Sequence, residues 1–134
     1  MAMRKIRVMI IDEHPAVRRA LKTLLDASPE IEVLAVVDGI VEGEKLAHIV
    51  RPDVILLGLK SHVDNAAATF SQAVTHFNQL GRAILILSPY PDDVEQEMFY
   101  EAGASDYLLK DINSPQLIAS IRQAISSSEA NFNG

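Results

Sequence analysis

Four polar or charged residues that could take part in chemistry directly follow apolar runs of this sequence. Asp12 and Glu13 come directly after the first run, Ser88 follows the fourth, and Lys110 follows the fifth. Carboxylates suit a hard cation, which prefers oxygen ligands, whereas a lysine and a hydroxyl suit the oxygens of a phosphoryl group. If the fold brings these four side chains together, they form a plausible site for a cation and a phosphoryl group.

The third apolar run ends differently, because its last position has no side chain. The stretch PDVILLGLK places Gly58 where the first, fourth and fifth runs are followed by polar residues. The neighbouring acid Asp53 lies at the opposite end of the same run, roughly 16 Å away at about 3.3 Å per residue. Position 58 is therefore expected to decide what the site can do.

The elements that must position these residues alternate along the chain. Five short apolar runs, typical of buried strands, cover residues 6–11, 31–37, 54–57, 83–87 and 106–109. Amphipathic segments predicted as helices begin at Pro15, Glu42, Ala66, Asp92 and Ser114. The alternation predicts an α/β domain with a parallel sheet covered on both faces. In such a sheet, residues at the carboxyl ends of the strands share one crevice.

Composition narrows the function classes. The chain has 134 residues, 49% of them hydrophobic, which suits one domain with a proper core. The net charge of -6 argues against binding nucleic acid directly, because phosphate contacts need a basic face. The chain lacks cysteine, which excludes disulfides, thiol catalysis and thiolate metal sites. Apolar runs are strand-sized and the N-terminal residues lack a signal core, so we expect a cytoplasmic protein with no membrane span.

Four segments resemble the receiver domains of two-component response regulators, most closely the NarL-type branch. They are VMIIDEHPAVRRALKTLL, PDVILLGLK, AILILS and EAGASDYLLKDINSPQLIASIRQAI. The resemblance runs from Lys5 to Ile125 and implies a flavodoxin-like (CheY-like) doubly wound sheet of five parallel strands in the order 2-1-3-4-5. We expect residues 1–125 to form the receiver domain and residues 126–134 to be a polar tail or the start of a linker.

The resemblance also implies a role for each polar residue. In such domains the acidic pair, here Asp12 and Glu13, helps to hold Mg²⁺. A hydroxyl residue and a lysine, here Ser88 and Lys110, contact the phosphoryl group. An aromatic residue on the fifth strand, here Tyr107, changes orientation with the hydroxyl residue and alters the partner surface.

Gly58 departs from the family pattern, because the family has its phosphoryl-accepting aspartate at that position. Glycine can neither attack a phosphohistidine nor ligate a metal, so the resemblance predicts a weak or vacant Mg²⁺ site and no catalytic residue. We hypothesise that Lys110 pairs with Asp12 or Glu13 without phosphorylation, and that the domain is a docking surface with fixed or different regulation.

The function predicted from the sequence is therefore a signalling module and not an enzyme. The resemblance implies a histidine kinase or other signalling protein as partner, a homodimer through the surface of the fourth helix, fifth strand and fifth helix, and DNA contact only through an output domain outside this chain. One alternative is a phosphorylatable receiver that uses another acceptor, or an engineered variant of a working site. Another is a flavodoxin-like cofactor-binding enzyme, which the acidic segment Asp12-Glu13-His14-Pro15 disfavours because it would repel phosphate.

Overall fold

The computed structural model describes residues 4–59, 66–111 and 113–133. Its strands are β1 (Ile6–Ile11), β2 (Ile31–Val37), β3 (Val54–Gly58), β4 (Ala83–Ser88) and β5 (Asp106–Leu109). Its helices are α1 (Pro15–Asp26), α2 (Ile40–Val50), α3 (Ala66–Gln79), α4 (Asp93–Ala102) and α5 (Ser114–Asn133). The strands pair in parallel in the order β2-β1-β3-β4-β5. The predicted α/β class and the strand order are both confirmed.

Each face of the sheet is covered by helices. Because side chains alternate along a strand, Met9 and Ile55 point to one face, where α2, α3 and α4 pack. Val8 and Leu56 point to the other face, where α1 and α5 pack. Phe70, Val74 and Phe77 of α3 are buried on the face of Met9 and Ile55. Two covered faces explain why the strands are continuous apolar runs instead of alternating ones.

Two expectations about segments have different outcomes. The polar segment from Ser126, which we expected to be a tail or the start of a linker, is helical, because α5 continues through it to Asn133, and the domain boundary at residue 125 stays a prediction. Serine and glutamate are compatible with a helix, and the helix was already begun by the apolar stripe of α5, so polarity alone did not end it. The loop expected between β3 and α3 lies, at positions 60–65, outside the described residues.

The turn into β3 contains an unusual backbone conformation. Arg51, the C-cap of α2, has φ 52° and ψ 63°, the left-handed region that costs L-residues about 1–2 kcal/mol. Its carbonyl accepts a hydrogen bond from the guanidinium of Arg7 at 3.0 Å, which holds the turn against β1. Among the described residues, no helix is both long and apolar enough to cross a membrane.

We expect Arg51→Gly to stabilise the fold by up to about 1 kcal/mol. Glycine removes the left-handed strain, and this gain is reduced by about 0.5–1 kcal/mol because glycine has more conformational entropy in the unfolded chain. Arg51→Val should destabilise it, since a β-branched residue fits this conformation worst. Urea unfolding measures both variants, and Arg51→Lys serves as a neutral control. Equal stability of the glycine and valine variants would contradict the conformation described.

Candidate functional site

Asp12 is fixed at the carboxyl end of β1 by its own backbone and side chain. Its N–H donates to the carbonyl of Val37 at 3.1 Å, and its Oδ1 accepts from the N–H of His14 at 2.9 Å. Its carbonyl accepts from Arg18 at 2.7 Å. The side chain is 1% exposed, so its charge is removed from water and its position has little freedom.

Gly58, the last residue of β3, lies directly beside this carboxylate. A Cβ built on residue 58 would overlap Asp12 Oδ2 and would lie 2.6 Å from Asp12 Cγ and 3.2 Å from Asp12 Cβ. Real Cβ atoms essentially never approach other atoms within 3.0 Å. The carboxylate of Asp12 therefore occupies the space that any side chain at position 58 would need.

The second carboxylate oxygen of Asp12 faces Lys110, which follows β5. The distance from Lys110 Nζ to Asp12 Oδ2 is 2.9 Å. Within the part of the chain that the structure describes, Oδ2 accepts no hydrogen bond of favourable geometry, so we describe the contact as a charge pair. The lysine side chain is itself only 15% exposed. Of the two acids that the sequence offered as partners for Lys110, the structure pairs it with Asp12.

An open cleft of about 530 Å³ borders Asp12 and Gly58. Its lining includes the carboxylate-bearing residues Glu13, Asp38 and Glu42, and no basic residue among the described residues that form it. Like charge would repel a phosphoryl donor from this side. The negative charge of the cleft therefore disfavours entry of a phosphoryl group.

Ser88 ends β4 and is 2% exposed. Its Oγ donates to the carbonyl of Tyr90 at 2.7 Å and lies 3.4 Å from Glu95 Oε1. Its backbone carbonyl accepts from the N–H of Lys110 at 2.9 Å, which keeps the ends of β4 and β5 together. The hydroxyl of Ser88 is thus used by the loop between β4 and α4.

Tyr107 on β5 belongs to the same group of contacts. Its hydroxyl lies 2.8 Å from Glu95 Oε1 and 3.2 Å from the carbonyl of Tyr90. Its ring stacks on Phe99 of α4 with a centroid distance of 6.5 Å and an interplanar angle of 26°. Burial, followed by the hydrogen bond to the Glu95 carboxylate, raises the pKa of Tyr107 to about 12, although the Ser88 hydroxyl acts in the opposite direction.

Glu95 is the residue whose role the sequence did not reveal. Its spacing from Asp92 is that of a capping box, and its N–H donates to Asp92 Oδ1 at 3.0 Å. Its carboxylate instead contacts Tyr107 and the Ser88 hydroxyl. A glutamate three residues after an N-cap satisfies a local rule, and only the tertiary position of Tyr107 redirects its side chain.

The donor set does not fit a well-formed Mg²⁺ site. Such a cation prefers several oxygen ligands, and residue 58 contributes none. The charge of Asp12 is taken up by Lys110, and no set of three or more candidate metal ligands occurs among residues 4–59, 66–111 and 113–133. Lys110 supplies the positive charge that Asp12 needs.

Sequence comparison places the chain in a family. The family of the response regulator receiver domain matches residues 8–122. The transcriptional regulatory protein LiaR of Bacillus subtilis is 34% identical over 119 residues, covering 89% of this chain and 56% of LiaR. The nitrate/nitrite response regulator protein NarP of Escherichia coli is 35% identical over 122 residues, covering 87% of this chain and 53% of NarP. The chain belongs to the response regulator receiver family, and it spans about half the length of these curated relatives.

Solved structures agree on the fold. The signal receiver domain of the putative response regulator NarL from Mycobacterium tuberculosis superposes with a TM-score of 0.77 at 21% identity, covering 95% of this chain and 98% of that one. A LuxR-family response regulator from Aurantimonas sp. gives a TM-score of 0.79 at 25% identity, covering 92% and 86%. The CheY-like architecture is therefore shown, and receiver domains of this family are signalling modules.

We expect Lys110→Met to cost about 3 kcal/mol or more of unfolding free energy, because it leaves a buried carboxylate without its counter-charge. Combining it with Asp12→Asn should recover much of that loss. Urea unfolding of the four proteins in this cycle measures the coupling. Lys22→Met, which breaks the exposed pair with Asp26, is the matched control and should cost less than about 1 kcal/mol. Independent, additive losses for residues 12 and 110 would contradict the charge pair.

The raised pKa of Tyr107 predicts a stability loss at high pH. A tyrosine in the unfolded chain loses its proton near pH 10, whereas Tyr107 in the folded chain keeps it until about pH 12. The contribution of Tyr107 to the free energy of unfolding is therefore fully present below pH 10 and is lost as the pH rises from 10 to 12. Thermal unfolding of the wild type against Tyr107→Phe isolates this loss, which the phenylalanine variant should lack. Glu95→Gln should lower the Tyr107 pKa, measured by NMR of labelled tyrosine; an unchanged value would contradict the contact with Glu95.

Proposed function

We propose that this chain is the receiver module of a NarL-type response regulator that does not accept a phosphoryl group at the usual position and acts as a protein-interaction module. The observation that carries the proposal is the place of Asp12 beside Gly58. The Asp12 carboxylate lies where a side chain at position 58 would be, and it pairs with Lys110. The charge of Asp12 is thus balanced by Lys110 without a phosphoryl group.

The chemistry of phosphoryl acceptance supports the proposal. Phosphoryl transfer needs a nucleophile and positive charge around the transferred group. Glycine supplies no nucleophile, and the lysine charge is already matched by Asp12. The Ser88 hydroxyl donates to Tyr90 instead. Mg²⁺ binding at Asp12 and Glu13 is accordingly weak.

The wider role follows from the family and is part of the same proposal. The curated relatives include transcriptional regulatory proteins and are about twice as long as the matched region. We infer a cytoplasmic module that contacts a histidine kinase or another signalling protein, and that influences transcription through an output domain. Tyr107, held by Glu95, is the switch residue on the surface formed by α4, β5 and α5, through which the module meets its partners.

Incubation with acetyl phosphate and Mg²⁺, followed by intact mass, tests the proposal. The native chain should gain no acid-labile phosphoryl adduct. Gly58→Asp supplies the missing nucleophile and should gain an adduct, at the cost of displacing the Asp12 carboxylate and lowering stability.

Gly58→Ala is the matched control, since it creates the same overlap without a nucleophile. It should lose stability although alanine normally gains about 0.5–1 kcal/mol over glycine within a strand, and it should gain no adduct. An adduct on the native chain would overturn the proposal in favour of another acceptor, and peptide mapping would then identify that residue.

A further inference from the structure

The negative charge of this protein is concentrated on one segment. Residues 89–109, which include α4 and β5, contain six acidic residues and no lysine, arginine or histidine. The rest of the chain contains twelve acidic and twelve basic residues, so the whole net charge of -6 resides in this segment. Such concentration produces a local field that a uniform distribution would not.

Half of these acids form a stripe along α4. Asp93, Glu97 and Glu101 follow one another at four-residue spacing, and all three are exposed. None of them makes an ion pair or a side-chain hydrogen bond with the described part of the chain. Like charges four residues apart destabilise a helix by roughly 0.2–0.5 kcal/mol per pair, so the stripe brings the fold no benefit.

The helix dipole adds to this cost at one end. Acids near the start of a helix are favourable, and Asp93 lies in the first turn of α4. Glu101 lies in the last turn, where negative charge is unfavourable and where α4 has no basic residue. A cation supplied from outside would relieve both the repulsion along the stripe and the unfavourable dipole contact.

Exposed apolar side chains adjoin the stripe. Val94 is 80% exposed and lies three and seven residues before Glu97 and Glu101, on their side of the helix. Tyr90, before the helix, is 48% exposed, and Tyr100 is 40% exposed. Among the five most exposed large apolar residues of the described chain, three therefore lie between positions 90 and 100. Apolar groups within a charged rim are typical of protein-binding surfaces.

We propose that this acidic α4 face, defined by Asp93, Val94, Glu97 and Glu101, docks a basic segment of a partner protein in which lysine or arginine residues flank an apolar side chain. The inference rests on the proposed function, because it names the chemistry of the partner that the module binds. A second copy docked through the same face would oppose like charges, and nucleic acids and anionic membranes are repelled for the same reason.

A synthetic amphipathic peptide of lysine, leucine and alanine is the probe, and its glutamate-for-lysine counterpart is the negative control. Titration into the ¹⁵N-labelled full chain should shift amide signals of residues 89–107 with the lysine peptide alone. Affinity should fall with added salt, because exposed charges are screened. Signal shifts spread over the whole surface, or equal binding of the glutamate peptide, would overturn the proposal.

Charge reversal separates this face from general acidity. Glu97→Lys with Glu101→Lys should weaken peptide binding roughly tenfold or more. It should also raise the melting temperature, because the 93/97 pair becomes attractive and the dipole contact of residue 101 becomes favourable, while positions 97 and 101 still repel each other. Glu32→Lys with Glu42→Lys changes the net charge equally on other elements and should weaken binding far less. Val94→Ser keeps every charge and should weaken binding through the apolar contact alone. Equal losses in the two charge-reversed variants would refute the assignment of the face.

Sedimentation velocity tests the competing occupant, a second copy. The chain should remain monomeric at peptide-binding concentrations, and a dimer whose interface maps to α4 would overturn the proposal. The outcomes are distinguishable from those of the phosphorylation test. A phosphoryl adduct on the native chain would defeat the proposed function and leave the docking result standing, whereas a receiver without an adduct and without peptide binding would defeat only the docking surface.

Discussion

The charge pair between Asp12 and Lys110 is the interaction on which the rest of this site depends. Removing a carboxylate from water costs several kcal/mol, and the cost is offset only by a close counter-charge and good hydrogen bonds. Asp12 has both, since Lys110 approaches to 2.9 Å and the N–H of His14 donates to its other oxygen. The pair also connects the carboxyl ends of β1 and β5, which are not neighbours in the sheet. Gly58 on the intervening β3 permits it, because any larger residue would occupy the same space.

Because Asp12 is already paired with Lys110, the neighbouring polar residues contact one another. The hydroxyl of Ser88 donates to the carbonyl of Tyr90 in the following loop. Glu95 then becomes the polar centre between the loop and β5, where it accepts from Tyr107. Stacking of Tyr107 on Phe99 completes the connection between strand and helix. The surface of α4 and β5 is in this way tied to the pocket by ordinary packing and hydrogen bonds.

The sequence predicted the sheet well because its strands are buried on both faces and its helices are amphipathic, so periodicity and alternation determine the class. It also indicated that Lys110 would meet an acid that follows β1, since parallel strands bring their carboxyl ends to one edge. It could not predict the position of the Asp12 side chain, which depends on the missing Cβ of a residue 46 positions away in sequence. The contact between Glu95 and Tyr107 could not be predicted for a similar reason, because the capping-box spacing of Glu95 carries no information about a residue on another element. Polar composition likewise suggested that the chain leaves its helix near Ser126, where α5 in fact continues.

The distribution of charge is consistent with a module whose surface is permanent. A phosphorylated receiver gains negative charge at its pocket only when it is activated, so its field changes with its chemical state. Here Asp12 is paired with Lys110 and the other acids of the pocket line the cleft. A larger set of acids, whose charge is permanent, lies in the segment 89–109. The repulsion along the α4 stripe destabilises the fold, and no described residue supplies a counter-charge there. A charge pattern that destabilises the fold is best explained by a role in binding, because complementary charge guides the encounter with a partner and excludes unsuitable partners.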